Sequence, residues 1–151
     1  MERITSFCVD HDKIGKGIYI SRIDGDVTTY DLRTRIPNGG DYMDHVTMHS
    51  MEHMFATYVR NSDIGKNVIY FGPMGCRTGF YLLVRDTEPA VVADAVKSVL
   101  SLICHHDGEM FGATRKECGN YRELDLSAAK MEAAEYLDAL NNSDITFEYP
   151  Q

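Results

Sequence analysis

The chain has 151 residues, of which 44% are hydrophobic and 25% charged, the composition expected of one globular domain spanning residues 1–151. Fifteen basic against 23 acidic residues leave a net charge of −8 with no run of Lys or Arg, which argues against nucleic acid and anionic membranes as partners. No apolar stretch reaches the ~18 residues of a membrane span, and Met1–Lys13 lacks the charged and apolar regions of a signal peptide. Four widely spaced cysteines (Cys8, Cys76, Cys104, Cys118) do not make a disulfide framework. The expected compartment is therefore the reducing cytoplasm, where cysteines bind metals, catalyse or simply pack.

Residues 17–34 read as two strands. Asp24-Gly25 is the expected tight-turn pair between them. On the second strand Thr29, Asp31 and Arg33 share a face, because side chains alternate. Pro37-Asn-Gly-Gly40 ends the segment with turn chemistry. Residues 44–60 form an uninterrupted helix, apolar on most sides and closed by Asn61-Ser62. Residues 67–71 and 79–85 read as strands flanking the loop Gly72-Pro-Met-Gly-Cys-Arg-Thr78. A second helix opens at Thr87-Glu-Pro-Ala, with Thr87 as cap and an early proline, and runs to about residue 104. A third, alanine-rich helix spans Ser127–Leu140 and stops at Asn141-Asn142. Strands and helices mix without regular βαβ alternation. The expectation is an α+β single domain, with a mostly antiparallel sheet packed against three main helices.

The strongest chemical signal is His49-Ser-Met-Glu-His53. Four residues is slightly more than one helical turn, so both imidazoles project from one face and can grip one divalent cation. Glu52 lies on the same side, where its carboxylate can move protons rather than ligate. Histidines at this spacing also occur as ordinary packed or surface residues. Here the helix is otherwise apolar, and three polar groups on it would be costly to bury without a shared purpose. A catalytic metal commonly has three protein ligands and an open position. Cys118, Cys76, His105 and His106 are the candidates for the third, and residue types alone do not choose between the two cysteines. Cys104-His105-His106 falls at a helix end, where histidines interact with the dipole and the last carbonyls, a structural role. Cys8 lies among apolar residues and is expected to be packed.

Several tracts together resemble the S-ribosylhomocysteine lyase (LuxS) family. They are Ser6-Phe7 with Asp10-His11, Tyr30-Asp-Leu-Arg33 with Pro37-Asn38, and His49-Ser-Met-Glu-His-Met-Phe-Ala-Thr-Tyr-Val-Arg60. Pro73-Met-Gly-Cys-Arg-Thr-Gly79 and Cys118-Gly119 followed by Asp125-Leu126 complete the match. The resemblance implies that His49, His53 and Cys118 hold one divalent metal per subunit, iron(II) natively, with zinc or cobalt accepted. It implies that Cys76 and Glu52 are the acid–base pair, and that Ser6, His11 and Arg33 contact the substrate or shape its pocket. It also implies a homodimer with active sites at the interface, where Phe7 serves the neighbour's site. Tyr70-Phe-Gly72 and Thr29 depart from the family, which often has an Asp-containing sequence and, in some members, a lysine there.

The reaction so implied splits S-ribosylhomocysteine into homocysteine and 4,5-dihydroxy-2,3-pentanedione, the autoinducer-2 precursor. The sugar carbonyl migrates from C1 to C2 to C3, and homocysteine then leaves C5 by β-elimination. A metallopeptidase would complete H-x-x-E-H with a downstream glutamate on a larger scaffold. A peptide deformylase carries the opposite motif order. A structural zinc module would need a fourth protein ligand, which Cys76 could supply.

Overall fold

Two hairpins make one sheet in the computed structural model, which describes residues 1–151. The first joins β1 (Gly17–Asp24) to β2 (Val27–Arg33), and the second joins β3 (Val68–Pro73) to β4 (Gly79–Arg85). The strand order is β1-β2-β4-β3, with every neighbour antiparallel. Helix α1 (His45–Arg60) connects the hairpins, and α2 (Pro89–Cys104) and α3 (Leu126–Asn141) follow the sheet in sequence. This is the α+β arrangement expected, an antiparallel sheet with three main helices.

The turn between β1 and β2 is shifted by one residue from the expected pair. Asp24 pairs with Val27, so the two loop residues are Gly25 and Asp26 rather than Asp24 and Gly25. Gly25 has φ 63°. A positive φ at the first loop position is what a tight hairpin with glycine there requires, since a side chain would be strained.

Local chemistry explains the helix starts. Asp44 accepts the Thr47 amide at 2.7 Å, and Asp125 accepts those of Ser127 at 2.9 Å and Ala128 at 3.3 Å. Each carboxylate satisfies amides that lack an intrahelical partner. Thr87 does not cap α2. It lies two residues before Pro89, and its hydroxyl turns back to donate to the Arg85 carbonyl at 2.8 Å. The first turn of α2 relies on Pro89 instead, which has no amide proton to satisfy.

The sheet has two different faces. Tyr30 and Leu32 of β2 and Phe80 and Leu82 of β4 join Met51, Met54, Phe55, Val96, Val99 and Ala133 in one buried cluster. Each such large side chain contributes about 1.5–3 kcal/mol by leaving water. The alternate residues of β2, among them Thr29, Asp31 and Arg33, therefore face away from that cluster. The C-terminal segment packs beside them. Ile20 donates its amide to the Phe147 carbonyl at 2.8 Å, and Tyr149 stacks on Tyr19 with ring centroids 5.0 Å apart.

Candidate metal centre and proton-transfer cleft

Helix α1 presents His49 and His53 one turn apart, with ring centroids 4.6 Å apart and planes at 89°. The Nδ1–H of His49 donates to the Glu123 carbonyl at 3.0 Å, and that of His53 to the Phe111 carbonyl at 2.9 Å. A carbonyl only accepts, so both rings carry a proton on Nδ1, and in the neutral imidazole the lone pair is then on Nε2, the atom that can ligate a metal. This is how metal-binding imidazoles are held in orientation. Both carbonyls come from the segment joining α2 to α3, and that segment also delivers Cys118.

The Cys118 Sγ lies 3.4 Å from His49 Nε2 and receives the Asn120 amide at 3.4 Å. One ligand atom from each of His49, His53 and Cys118 lies within 4.8 Å of the others. Two ligands of one tetrahedral ion with these donor types stand roughly 3.5 Å apart, so the trio is close to a coordinating arrangement. Two imidazoles and a thiol suit zinc, iron or cobalt and leave a fourth position open. The group could hold a metal ion. Glu52, three residues after His49, is half-buried and enters none of the ion pairs of the chain.

Gly112 sets the closeness of this segment to α1. Its φ is +66°, and a Cβ there would sit 2.9 Å from His53 Nδ1. Only glycine combines the left-handed backbone with that approach. No motif in the sequence singles out Gly112. A glycine in a polar connecting segment was its only mark.

Cys76 sits elsewhere, in the loop between β3 and β4. Its Sγ lies 3.1 Å from Thr78 Oγ1 and 4.0 Å from Arg33 Nη1. Arg33 also donates to Thr78 Oγ1 at 2.8 Å and, in a two-pronged contact, to Asp31 at 3.0 and 2.6 Å. Arg33 and Asp31 are only 3% and 1% exposed, so the pair is desolvated. Burial opposes the guanidinium charge, but the Asp31 hydrogen bonds and charge outweigh it and hold Arg33 above the ordinary arginine value. The Tyr149 hydroxyl donates to Asp31 Oδ2 at 2.8 Å and completes the support.

Ser6, Phe7, His11, Arg33, Cys76 and Tyr81 line one cleft of about 370 Å³. An adjoining cleft of about 500 Å³ shares Ser6 and Tyr81 and includes Thr29 and Tyr70. Of the residues that depart from the family pattern, Thr29 and Tyr70 thus border the same region as Ser6, while Phe71 is buried in the core. Neither cleft includes His49, Glu52, His53 or Cys118.

The remaining candidates fall outside both groups. His105 donates to the Ser101 carbonyl at 2.8 Å, the helix-end role expected of it. Burial pushes the Cys104 thiol up. Cys8 is exposed rather than packed. It follows the short turn Thr5–Phe7, which buries none of its residues, and its thiol donates only to the Ile4 carbonyl at 3.6 Å.

The family model for S-ribosylhomocysteinase (LuxS) matches residues 4–146. The chain belongs to the S-ribosylhomocysteinase (LuxS) family. It is 44% identical over 147 residues to an S-ribosylhomocysteine lyase of Finegoldia magna, covering 94% of each chain. A Borreliella burgdorferi S-ribosylhomocysteine lyase is 42% identical over 157 residues, covering 99% of this chain and all of that protein. One from Clostridium beijerinckii is 38% identical over 158 residues, covering 99% of each. The matched span includes His49, Glu52, His53, Cys76 and Cys118.

Proposed function

We propose that this chain is a metal-dependent lyase that converts S-ribosylhomocysteine to homocysteine and 4,5-dihydroxy-2,3-pentanedione, with His49, His53 and Cys118 as metal ligands. The observation that carries the reading is the His49–His53–Cys118 group, in a chain that matches the lyase family over residues 4–146. Three donors rather than four speak against a closed structural zinc site, and Cys76 is not among them.

A divalent ion held by these residues would supply Lewis-acid stabilisation to sugar oxygens that become negative. Iron(II) is the proposed native ion, with zinc or cobalt as substitutes. Cys76 removes a proton from the carbon beside the carbonyl and returns it to the old carbonyl carbon, moving the carbonyl from C1 to C2 and then to C3. Glu52 carries the oxygen-bound protons in these shifts. It then takes the C4 proton. The C–H electron pair forms a C4–C5 double bond as the C5–S bond breaks, and homocysteine departs with the sulfur electrons. Proton carriers of this kind contribute roughly 10²–10⁴-fold each. Arg33, His11 and Ser6 bind and orient the substrate in the cleft beside Cys76.

The active unit is proposed to be a homodimer in which a second copy brings its metal group to this cleft. Phe7 is 67% and Ile4 57% exposed at the rim of the clefts, and the metal group lines neither cleft of its own chain. The proposed compartment is the cytoplasm, which keeps the four free thiols reduced. No helix is long and apolar enough to cross a membrane. Reduced, metal-loaded protein incubated with S-ribosylhomocysteine should release one free thiol per substrate. No release above the protein-free control would remove the proposal.

A further inference from the structure

His106 is used by no step above, yet both of its ring nitrogens are engaged. Nε2–H donates to the Glu109 carbonyl at 2.8 Å. In the neutral ring Nδ1 is then the acceptor, and it receives the Tyr58 hydroxyl at 2.7 Å. The His106 carbonyl accepts Lys130 Nζ from α3 at 3.0 Å. Tyr58 stands on α1, five residues after His53. The Phe111 ring packs edge-on against both partners, 5.2 Å from Tyr58 and 4.8 Å from His106. Residues 106–111 have no helix or strand to hold them. They are pinned to α1 through Tyr58 and to α3 through Lys130, and they end at the carbonyl that receives His53 Nδ1–H.

We propose that His106 and Tyr58 are positioning residues for the metal site, a clamp that fixes the Phe111 carbonyl and through it the ring of His53. The proposal rests on the reading of His53 as a metal ligand. The hydrogen bond to a ligand's second nitrogen sets both its tautomer and its aim. The acceptor here is a backbone carbonyl in an irregular segment, so something must hold that segment. His106 does so with ring hydrogen bonds that neither a phenylalanine nor a leucine of similar bulk could make.

The test uses the full chain loaded with Co(II), with release to a chelator and the visible absorption spectrum as readouts. Loss of a direct outer partner typically costs 10–100-fold in metal affinity. His106→Phe keeps a ring but removes both hydrogen bonds, and should speed Co(II) release by about three- to tenfold and shift the ligand-field bands. Tyr58→Phe removes one atom and should move both readouts the same way by less. His106→Gln, whose amide can donate and accept, should recover part of the loss. If His106→Phe does not fold, Tyr58→Phe alone decides. His53→Ala should abolish tight Co(II) binding. Co(II) retained in His53→Ala would overturn the ligand reading and the clamp with it. Co(II) lost in His53→Ala but released at the wild-type rate, with the wild-type spectrum, from His106→Phe and Tyr58→Phe would overturn the clamp alone.

Discussion

Replacing Gly112 by alanine adds a single methyl group at a close approach to His53 of the candidate metal group. The added methyl would sit 2.9 Å from His53 Nδ1 and 3.2 Å from its Cε1, inside ordinary contact. A φ of +66° adds backbone strain of about 1–2 kcal/mol for a residue with a Cβ. Relief requires either the imidazole or the 111–112 backbone to shift by some tenths of an ångström. Either movement stretches the 2.9 Å bond from His53 to the Phe111 carbonyl. Loss of such a partner lowers metal affinity by about 10–100-fold, or roughly 1.4–2.8 kcal/mol. Chelator competition with Zn(II) measures this directly, and denaturant titration of the metal-free protein isolates the backbone strain. Gly25→Ala is the control, because Gly25 has φ +63° but nothing within 4 Å of an added Cβ. It should lose stability and keep wild-type metal affinity. A folded Gly112→Ala variant with wild-type affinity would refute the reasoning.

Other consequences follow from the same geometry. Arg33→Ala leaves the buried Asp31 carboxylate without its cation and should cost about 3–5 kcal/mol in urea unfolding, where a change below ~1 kcal/mol would contradict the pairing. Asp44→Ala should cost about 1 kcal/mol by removing the cap of α1. The Thr47 amide holds the Asp44 carboxyl below its ordinary value, so its contribution is complete above the unfolded-state pKa and is lost as pH falls through the folded one. The wild type and Asp44→Ala should therefore converge in melting temperature in acid and differ near neutrality. If each site draws Cys76 from one subunit and the metal ligands from the other, inactive Cys76→Ala and Cys118→Ala proteins should regain up to about a quarter of wild-type activity on mixing and exchange. No recovery in verified mixed dimers would assign both cysteines to one subunit.

The elements were legible because their signals are local. Periodicity and β-branched runs mark the strands and helices, and the helices shift by only one or two residues at their ends. The turn lies one position beyond Asp24-Gly25, because both Asp-Gly and Gly-Asp suit a tight turn and only the pairing of Asp24 with Val27 decides between them. The His49–His53 pair was legible from helix geometry alone. Its thiol partner lies 69 positions from His49, and no local rule chooses it over Cys76. The family tracts supplied that choice. The carbonyls of Phe111 and Glu123 had no signal at all, since a backbone acceptor leaves no mark on residue identity. The contact of Tyr149 with Asp31 was equally hidden, because it depends on where the C-terminal segment returns beside β1. Cys8 has apolar neighbours in sequence, but the turn at Thr5–Phe7 leaves it at the surface.

The proposed division of labour between the two cysteines is tested most directly by bound metal and thiol release, measured side by side in Cys76→Ala and Cys118→Ala. The expected result is full metal content without turnover in Cys76→Ala, and loss of metal together with turnover in Cys118→Ala. Metal lost from Cys76→Ala and retained by Cys118→Ala would contradict the assignment.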